Sequence, residues 1–285
     1  MTVNEKNVLV TGASSGIGWA SVKRLDEAGF RVFAGVRTEA DAARLRAQLS
    51  DRVVALPLDV CDEKTIEIAS TTVAERIGAA GLYGLMNNAG IAVAGPLEYM
   101  PIREVRRQLE TNVIGQLAVT QAFLPMLRQA RGRIIFISSV GGRVAMPFLG
   151  PYAASKFAIE ALADSLRIEL SSSGIQVVLI EPGPVATPIW RKSIAFGEQT
   201  MQGFPPEADI RYGQRMRRLM RLAEDYGATG VSADRVAEII LNVLRSNSPR
   251  ARYLVATPAS ALVNRTLRWL PDRLRDWLVL RALGA

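Results

Sequence analysis

The 285-residue sequence predicts a doubly wound α/β fold: a seven-stranded parallel sheet with helices on both faces, in a single domain. Three observations carry the prediction. Seven apolar, strand-like runs (7–11, 31–35, 53–56, 83–87, 132–138, 175–181 and 252–255) alternate with amphipathic helical stretches. A glycine turn stands between the first run and the first helix. The length suits one core, and no internal repeat, low-complexity tract or linker divides the chain.

In order, the run at 7–11 leads into Thr11-Gly12-Ala13-Ser14-Ser15-Gly16-Ile17-Gly18, and a helical stretch follows up to Gly29. Backbone N–H groups at that helix start, with the helix dipole behind them, suit a pyrophosphate. The second run is followed by Val36-Arg37-Thr38. An acid there would accept the adenine ribose hydroxyls of NAD, whereas an arginine accommodates the 2′-phosphate of NADP. Val36 with Arg37 beside it favours NADP(H), with NAD(H) as the alternative; Ser14-Ser15 leaves the glycine turn itself without a basic residue.

The run at 132–138 is followed by Ser139, whose hydroxyl is presented at a strand's C-terminal edge, where open α/β sheets place their ligands. Pro151 suits a helix start, and the Ala- and Leu-rich stretch from Tyr152 to Arg167 reads as a long, mostly buried helix. Tyr152 and Lys156, four residues apart, share one of its faces. A phenol titrates near ~10, and a nearby ammonium lowers that value towards the range of effective proton transfer. Ser139 is placed to hydrogen-bond the substrate oxygen as charge develops there. Phenol, cation and hydroxyl beside a phosphate-binding turn are what hydride transfer between a dinucleotide and a carbonyl or alcohol requires.

Further motifs occur in order: Leu58-Asp59-Val60, Asn87-Asn88-Ala89-Gly90, Asn112 in Thr-Asn-Val-Ile-Gly, Ser139 in Ser-Ser-Val-Gly-Gly, and Pro182-Gly183-Pro-Val-Ala-Thr187. With them, residues 7 to about 245 resemble the short-chain dehydrogenases/reductases, a Rossmann-type family. Stretches such as 87–98 are most similar to its hydroxysteroid and retinol dehydrogenase branch. The resemblance implies that Tyr152 is the catalytic acid/base and Ser139 the carbonyl anchor. It implies that Lys156 binds the nicotinamide ribose and lowers the phenol's pKa, and that Asn112 holds a water relaying protons from Lys156 to solvent. Cofactor contacts are implied at Gly12, Ser14, Ser15, Gly16, Ile17, Gly18 and Arg37. Asp59 and Val60 would flank the adenine, Asn88, Ala89 and Gly90 the adenosine ribose side, and Val185 and Thr187 the nicotinamide carboxamide. The intact catalytic positions argue against a non-catalytic nucleotide-sensing relative. The glycine spacing argues against an epimerase or dehydratase of the same fold.

The family's variable substrate region here spans about 188–229, with Trp190, Phe196, Met201, Phe204, Tyr212, Met216 and Met220. Pro205-Pro206 divides it into a loop and an amphipathic helix from Glu207 to Tyr226. The loop between Ser139 and Tyr152 adds Val144, Met146, Pro147 and Phe148. Such apolar lining predicts a lipophilic substrate: a steroid, retinoid or fatty-chain alcohol or ketone. The alternative is that several of these residues merely pack the lid.

Composition bounds the rest. The chain has no histidine, so His-based catalysis is removed and no metal is expected. Cys61, the single cysteine, allows no internal disulfide, which fits a reducing cytoplasm, and reads as a packing residue. The N-terminus lacks a signal peptide's apolar stretch, and no segment approaches the ~20 apolar residues of a membrane span. The net charge of +8 is concentrated at one end, with seven arginines against two aspartates from Arg250 onward. The dehydrogenase domain is expected over 1–258, and 259–285 reads as two short basic amphipathic helices divided at Pro271, with Leu274, Trp277 and Leu278 on one face. Such a tail suits packing within the chain, packing in a homodimer or homotetramer, or peripheral contact with an anionic membrane. A basic balance alone does not point to nucleic acid.

Overall fold

The computed structural model describes residues 6–283, side chains at 191–192 and 226–228 excepted; the N-terminal stretch 1–5 lies outside it. In chain order the elements are β1 (Asn7–Val10), α1 (Gly16–Glu27), β2 (Arg31–Val36), α2 (Glu39–Gln48), β3 (Val53–Pro57), α3 (Glu63–Ile77), β4 (Gly84–Asn87), α4 (Ile102–Leu109), α5 (Gly115–Ala130) and β5 (Arg133–Ile137). Then come α6 (Gly150–Glu169), β6 (Gln176–Pro182), β7 (Val185–Ala186), α7 (Ile189–Gln202), α8 (Pro206–Ala208), α9 (Gln214–Thr229), β8 (Val231–Ser232), α10 (Ala233–Arg245), β9 (Arg252–Val255), α11 (Pro258–Leu267) and α12 (Asp272–Ala282).

Seven strands form one parallel sheet in the order β3-β2-β1-β4-β5-β6-β9, and β7 pairs with β8 outside it. Each expected run became a strand within a residue or so; the five inner strands are covered on both faces, and the edge strands β3 and β9 are part-buried. Successive side chains on a strand point to opposite faces. Val8, Val10, Val32 and Ala34 pack with Val22 and Leu25 of α1 and with Val236, Ile240 and Leu244 of α10. Leu9, Phe33, Leu85 and Phe136 pack on the other face with Val73 of α3, Phe123 and Leu127 of α5 and Ile159 of α6. The chain winds outward from β1 to β3, then starts again at β4 beside β1. That reversal opens a crevice beyond the C-terminal ends of β1 and β4.

Two expectations need correcting. The stretch before Pro205 is a helix, α7, and not a loop. Its buried positions Ser193 and Gly197 lie four apart, a helical spacing that the proline pair masks. Beyond β9 the chain forms α11 and α12 on either side of Pro271, but Leu274 and Trp277 face outward at 45% and 51% exposure. Val279 and Leu283 are the buried residues instead, in a small separate core with Phe148 and Met216. Among the described residues, no helix is long and apolar enough to cross a membrane.

Candidate active site

The glycine turn lines the crevice. Gly12 and Gly16 hold left-handed backbone, φ +63° and +56°, which L side chains rarely adopt. A Cβ on Gly18 would lie 2.2 Å from the Gly12 carbonyl oxygen and 2.6 Å from Asn88 Nδ2. Gly18 therefore closes the turn from behind, while Gly12, Ser14, Ser15, Gly16 and Ile17 line the cavity. The buried Thr11 hydroxyl accepts the Asn88 and Ala89 N–H groups at 2.9 and 3.0 Å. Asn88 Nδ2 donates to the carbonyls of Thr11 and Gly12 at 2.9 and 3.1 Å. Asn88 is thus a clamp on the turn, and Ala89 and Gly90 stand beside it in the wall. This bare backbone ahead of α1 fits a dinucleotide phosphate.

Arg37, Asp59 and Val60 line the far end, Arg37 being exposed at the rim. Sequence reasoning missed Arg44. From α2 its guanidinium donates to the Ser14 carbonyl, pairs with Asp41 at 3.0 Å and lies 5.4 Å from the Trp19 ring centroid. The glycine turn thus has an arginine after all, delivered by the next helix. Cys61 is exposed, not packed; its sulfur lies 3.4 Å from Thr111 Oγ1, and burial pushes the thiol pKa up.

Ser139 follows β5, where its hydroxyl accepts the Gly141 N–H at 3.0 Å and faces Tyr152. Pro151 occupies the first turn of α6. Lys156 is buried; its Nζ donates to the Ile137 carbonyl at 2.7 Å and lies 5.7 Å from the Tyr152 ring centroid. Burial pushes the Tyr152 phenol up, opposed by the Ser139 hydrogen bond. That is opposite to the expected lowering. Burial also drives the Lys156 ammonium down to about 8, with Glu160 pulling the other way.

Asn112 is fully buried in a π-helical stretch, 110–114, between α4 and α5. Its Oδ1 accepts the Ile91 N–H at 2.9 Å, and its Nδ2 donates to the Ile91 carbonyl at 3.0 Å and to Ser155 Oγ at 3.1 Å. Ser155 in turn donates to the Tyr152 carbonyl at 2.7 Å. Asn112 therefore secures the Tyr152 helix against the strand end.

A cavity of about 960 Å³ runs from the glycine turn past Ser139, Tyr152 and Lys156 to Val185, Thr187 and the lid. Trp190, Met216 and Met220 line it, with Val144 and Met146. Other expected lining residues pack the lid instead: Phe204 and Tyr212 stack on Tyr99 at 5.7 and 6.2 Å, and Phe196 lies 4.9 Å from Arg107. Phe148 holds left-handed backbone, φ +67°, with its carbonyl accepting the Gly95 N–H and its ring against Tyr212. The tail adds wall residues not foreseen, among them Val263, Leu267 and Leu278.

A family model described as short chain dehydrogenase matches residues 6–196. The chain is 37% identical to a 3-amino-tetrahydro-pyrrolizinone reductase of Xenorhabdus hominickii, over 98% of this chain and 97% of that protein. It is 35% identical to an NADPH-dependent 3-dehydrocapnine reductase of Ornithobacterium rhinotracheale, over 96% of each. It is 36% identical to retinol dehydrogenase 16 of Mus musculus, over 97% of this chain and 88% of that one. The crystal structure of a short-chain dehydrogenase from Streptomyces avermitilis matches with a TM-score of 0.77 at 29% identity, over 99% of this chain and 98% of that one. Agreement over this much of the chain, in sequence and in fold, makes the protein a member of the short-chain dehydrogenase family, in its hydroxysteroid/retinol-like branch, and an NAD(P)-dependent oxidoreductase.

Proposed function

We propose that the protein transfers hydride between NADP(H) and a lipophilic alcohol or ketone, with Tyr152 as the acid/base. The observation that carries this is the single cavity joining the glycine turn to Tyr152 and then to a wall of Met, Trp and Leu side chains. Arg37 at the rim supports NADP(H) over NAD(H). The NADPH dependence named for one relative points the same way.

Gly12 to Gly18 would hold the phosphates, Asp59 and Val60 the adenine, Ala89 and Gly90 the ribose beside it, and Val185 and Thr187 the carboxamide. When bound, the nicotinamide supplies or accepts the hydride. Ser139 orients the substrate oxygen. Tyr152, held protonated by burial, gives its Oη proton to that oxygen in the reducing direction. Lys156, as the ammonium, stabilises the phenolate left behind. Both amide hydrogens of Asn112 are engaged, so any relay water is held by its backbone, not its side chain.

The outward side of the tail, with Trp269, Leu274, Trp277 and five arginines nearby, has the chemistry to rest on an anionic lipid surface. Self-association as a homodimer or homotetramer belongs to the same proposal and is read by sedimentation velocity. The enzymatic test is NADPH consumption with retinal, a ketosteroid, a fatty ketone and a small polar ketone, repeated with NADH. Turnover confined to the small polar ketone would sink the lipophilic assignment.

A further inference from the structure

Behind Tyr152 and Lys156, charged side chains from four segments meet in a buried cluster. Glu160, one helical turn after Lys156 on α6, is 4% exposed. Its Oε2 takes Arg143 Nη2 at 2.7 Å and Arg252 Nε at 3.1 Å. Arg143, just past the turn that Ser139 caps, also reaches Glu181 of β6 at 2.9 Å. Arg252, the first residue of β9, reaches Glu181 at 3.3 Å and Asp164 at 2.7 Å. Glu160 Oε1 is buried, and the hydroxyl of Ser138 faces this carboxylate. A Cβ on Gly142 would lie 2.9 Å from Ser138 Oγ, 3.1 Å from the Lys156 carbonyl and 3.2 Å from Glu160 Cγ. Glycine at 142 lets the Ser139 turn close on the helix.

Taking charges out of water costs enough that a buried ionic cluster is weak ground for stability. Its placement gives it another use. It ties the turn carrying Ser139 to the helix carrying Tyr152 and Lys156, and it sets a carboxylate on the same helical face as the ammonium.

We propose that Glu160 is a positioning residue for the reaction: through Arg143 it fixes the Ser139 turn, and by its charge it keeps Lys156 in the ammonium form. This rests on the role assigned to Tyr152 and Lys156 above. Lys156 is faced by Tyr152 and Glu160 on its own helix and by the Ile137 carbonyl of β5. Glu160 is faced by Arg143, Arg252, Glu181 and Ser138. Burial holds its carboxyl above the usual range, against the pull of the guanidiniums. Neutralising Glu160 removes the attraction on Lys156 and lowers its pKa further. Removing Arg252 leaves more uncompensated negative charge beside Lys156 and raises it. A purely structural role would not produce opposite signs.

The test is carbon-13 NMR of the cofactor-free full chain with labelled lysines. The sequence has five lysines, and Lys156 is the signal missing from Lys156→Arg. In Glu160→Gln its titration is expected roughly 0.5–1 pH unit below wild type, and in Arg252→Gln a smaller shift above it. With bound NADPH and retinal, the alkaline limb of kcat/KM should move with the same two signs. Arg252 is part-exposed, 26% for its side chain, so that variant decides the matter if Glu160→Gln does not fold. No shift in a folded variant, or shifts of the same sign in both, would overturn the proposal. An active Tyr152→Phe enzyme would instead overturn the catalytic assignment while leaving the measured coupling of Glu160 to Lys156 in place.

Discussion

At one end the cavity wall carries the backbone of the glycine turn, Gly12 and Gly16 with the strand ends, held by Thr11 and Asn88 over distances of 2.9–3.1 Å. At the other end the wall is side chains, contributed by α7, α9, α11 and α12 from positions far apart in sequence. A backbone wall dictates residue types at fixed positions, because a single Cβ at Gly18 collides at 2.2 Å. A side-chain wall asks only for apolar groups of about the right volume. The glycine-turn end of the cavity therefore constrains residue identity. The lid end constrains only size and polarity.

The largest expected effect tests the point where the two walls meet. Tyr152→Phe removes a hydroxyl and keeps the ring's packing, so kcat should fall by ~10²–10⁴-fold while NADPH affinity, measured by fluorescence titration, stays near wild type. Unchanged turnover on any accepted substrate would break the assignment of Tyr152.

Next in size is cofactor choice. Val36 closes β2 and is 3% exposed. An Asp there has no water around it unless ribose hydroxyls donate to it, and it repels a 2′-phosphate. Val36→Asp should shift the ratio of NADP to NAD affinity by roughly tenfold or more, about 1.4 kcal/mol. It should also lower the melting temperature of the free enzyme, which NAD then restores more than NADP does. An unchanged ratio would mean that Arg37 does not meet the phosphate.

How much was legible in the sequence follows the same division. The seven strands were readable because local apolar runs need no partner to be recognised. Thr11–Gly18, Ser139, Tyr152 and Lys156 were readable because each sits in a short motif whose spacing has a mechanical cause. Arg44 was not, since helix α2 brings it back to Ser14 across thirty residues. Nor was the Glu160 cluster, whose members Arg143, Glu181 and Arg252 look like ordinary surface charges one by one. The phenol's raised pKa was hidden for a related reason: a four-residue spacing shows that Tyr152 and Lys156 are neighbours, but not how deeply both are buried. On the tail, helical spacing marked Leu274 and Trp277 as a face without showing which side the lid would cover.

A smaller effect sharpens the contrast. Leu283 is 2% exposed and packs with Phe148, Met216 and Val279, none of which belongs to the main cores. Leu283→Ala should cost about 2–3 kcal/mol locally, raise KM for a lipophilic ketone several-fold and leave NADPH affinity unchanged. A matching loss of NADPH affinity would show that the two ends are not separable.

The smallest effect on the folded chain is also the cleanest probe of its outer surface. Trp269 is 80% exposed, with the Arg268 guanidinium 5.3 Å from its ring centroid. It lies outside the small core of Phe148, Met216, Val279 and Leu283, so Trp269→Ala should change stability by less than about 0.5 kcal/mol. If the tail rests on lipid, the indole sits at the headgroup level and each nearby arginine adds ~1 kcal/mol of attraction to an anionic surface. The full chain should then co-sediment with vesicles containing phosphatidylserine at low salt, lose binding in high salt as the charges are screened, and bind more weakly as Trp269→Ala. Neutral vesicles separate the two contributions, since they retain the indole's share and lose that of the arginines. A full chain that stays in the supernatant with every vesicle would leave the tail as cavity wall alone, with its inward Val279 and Leu283 accounting for its place in the fold.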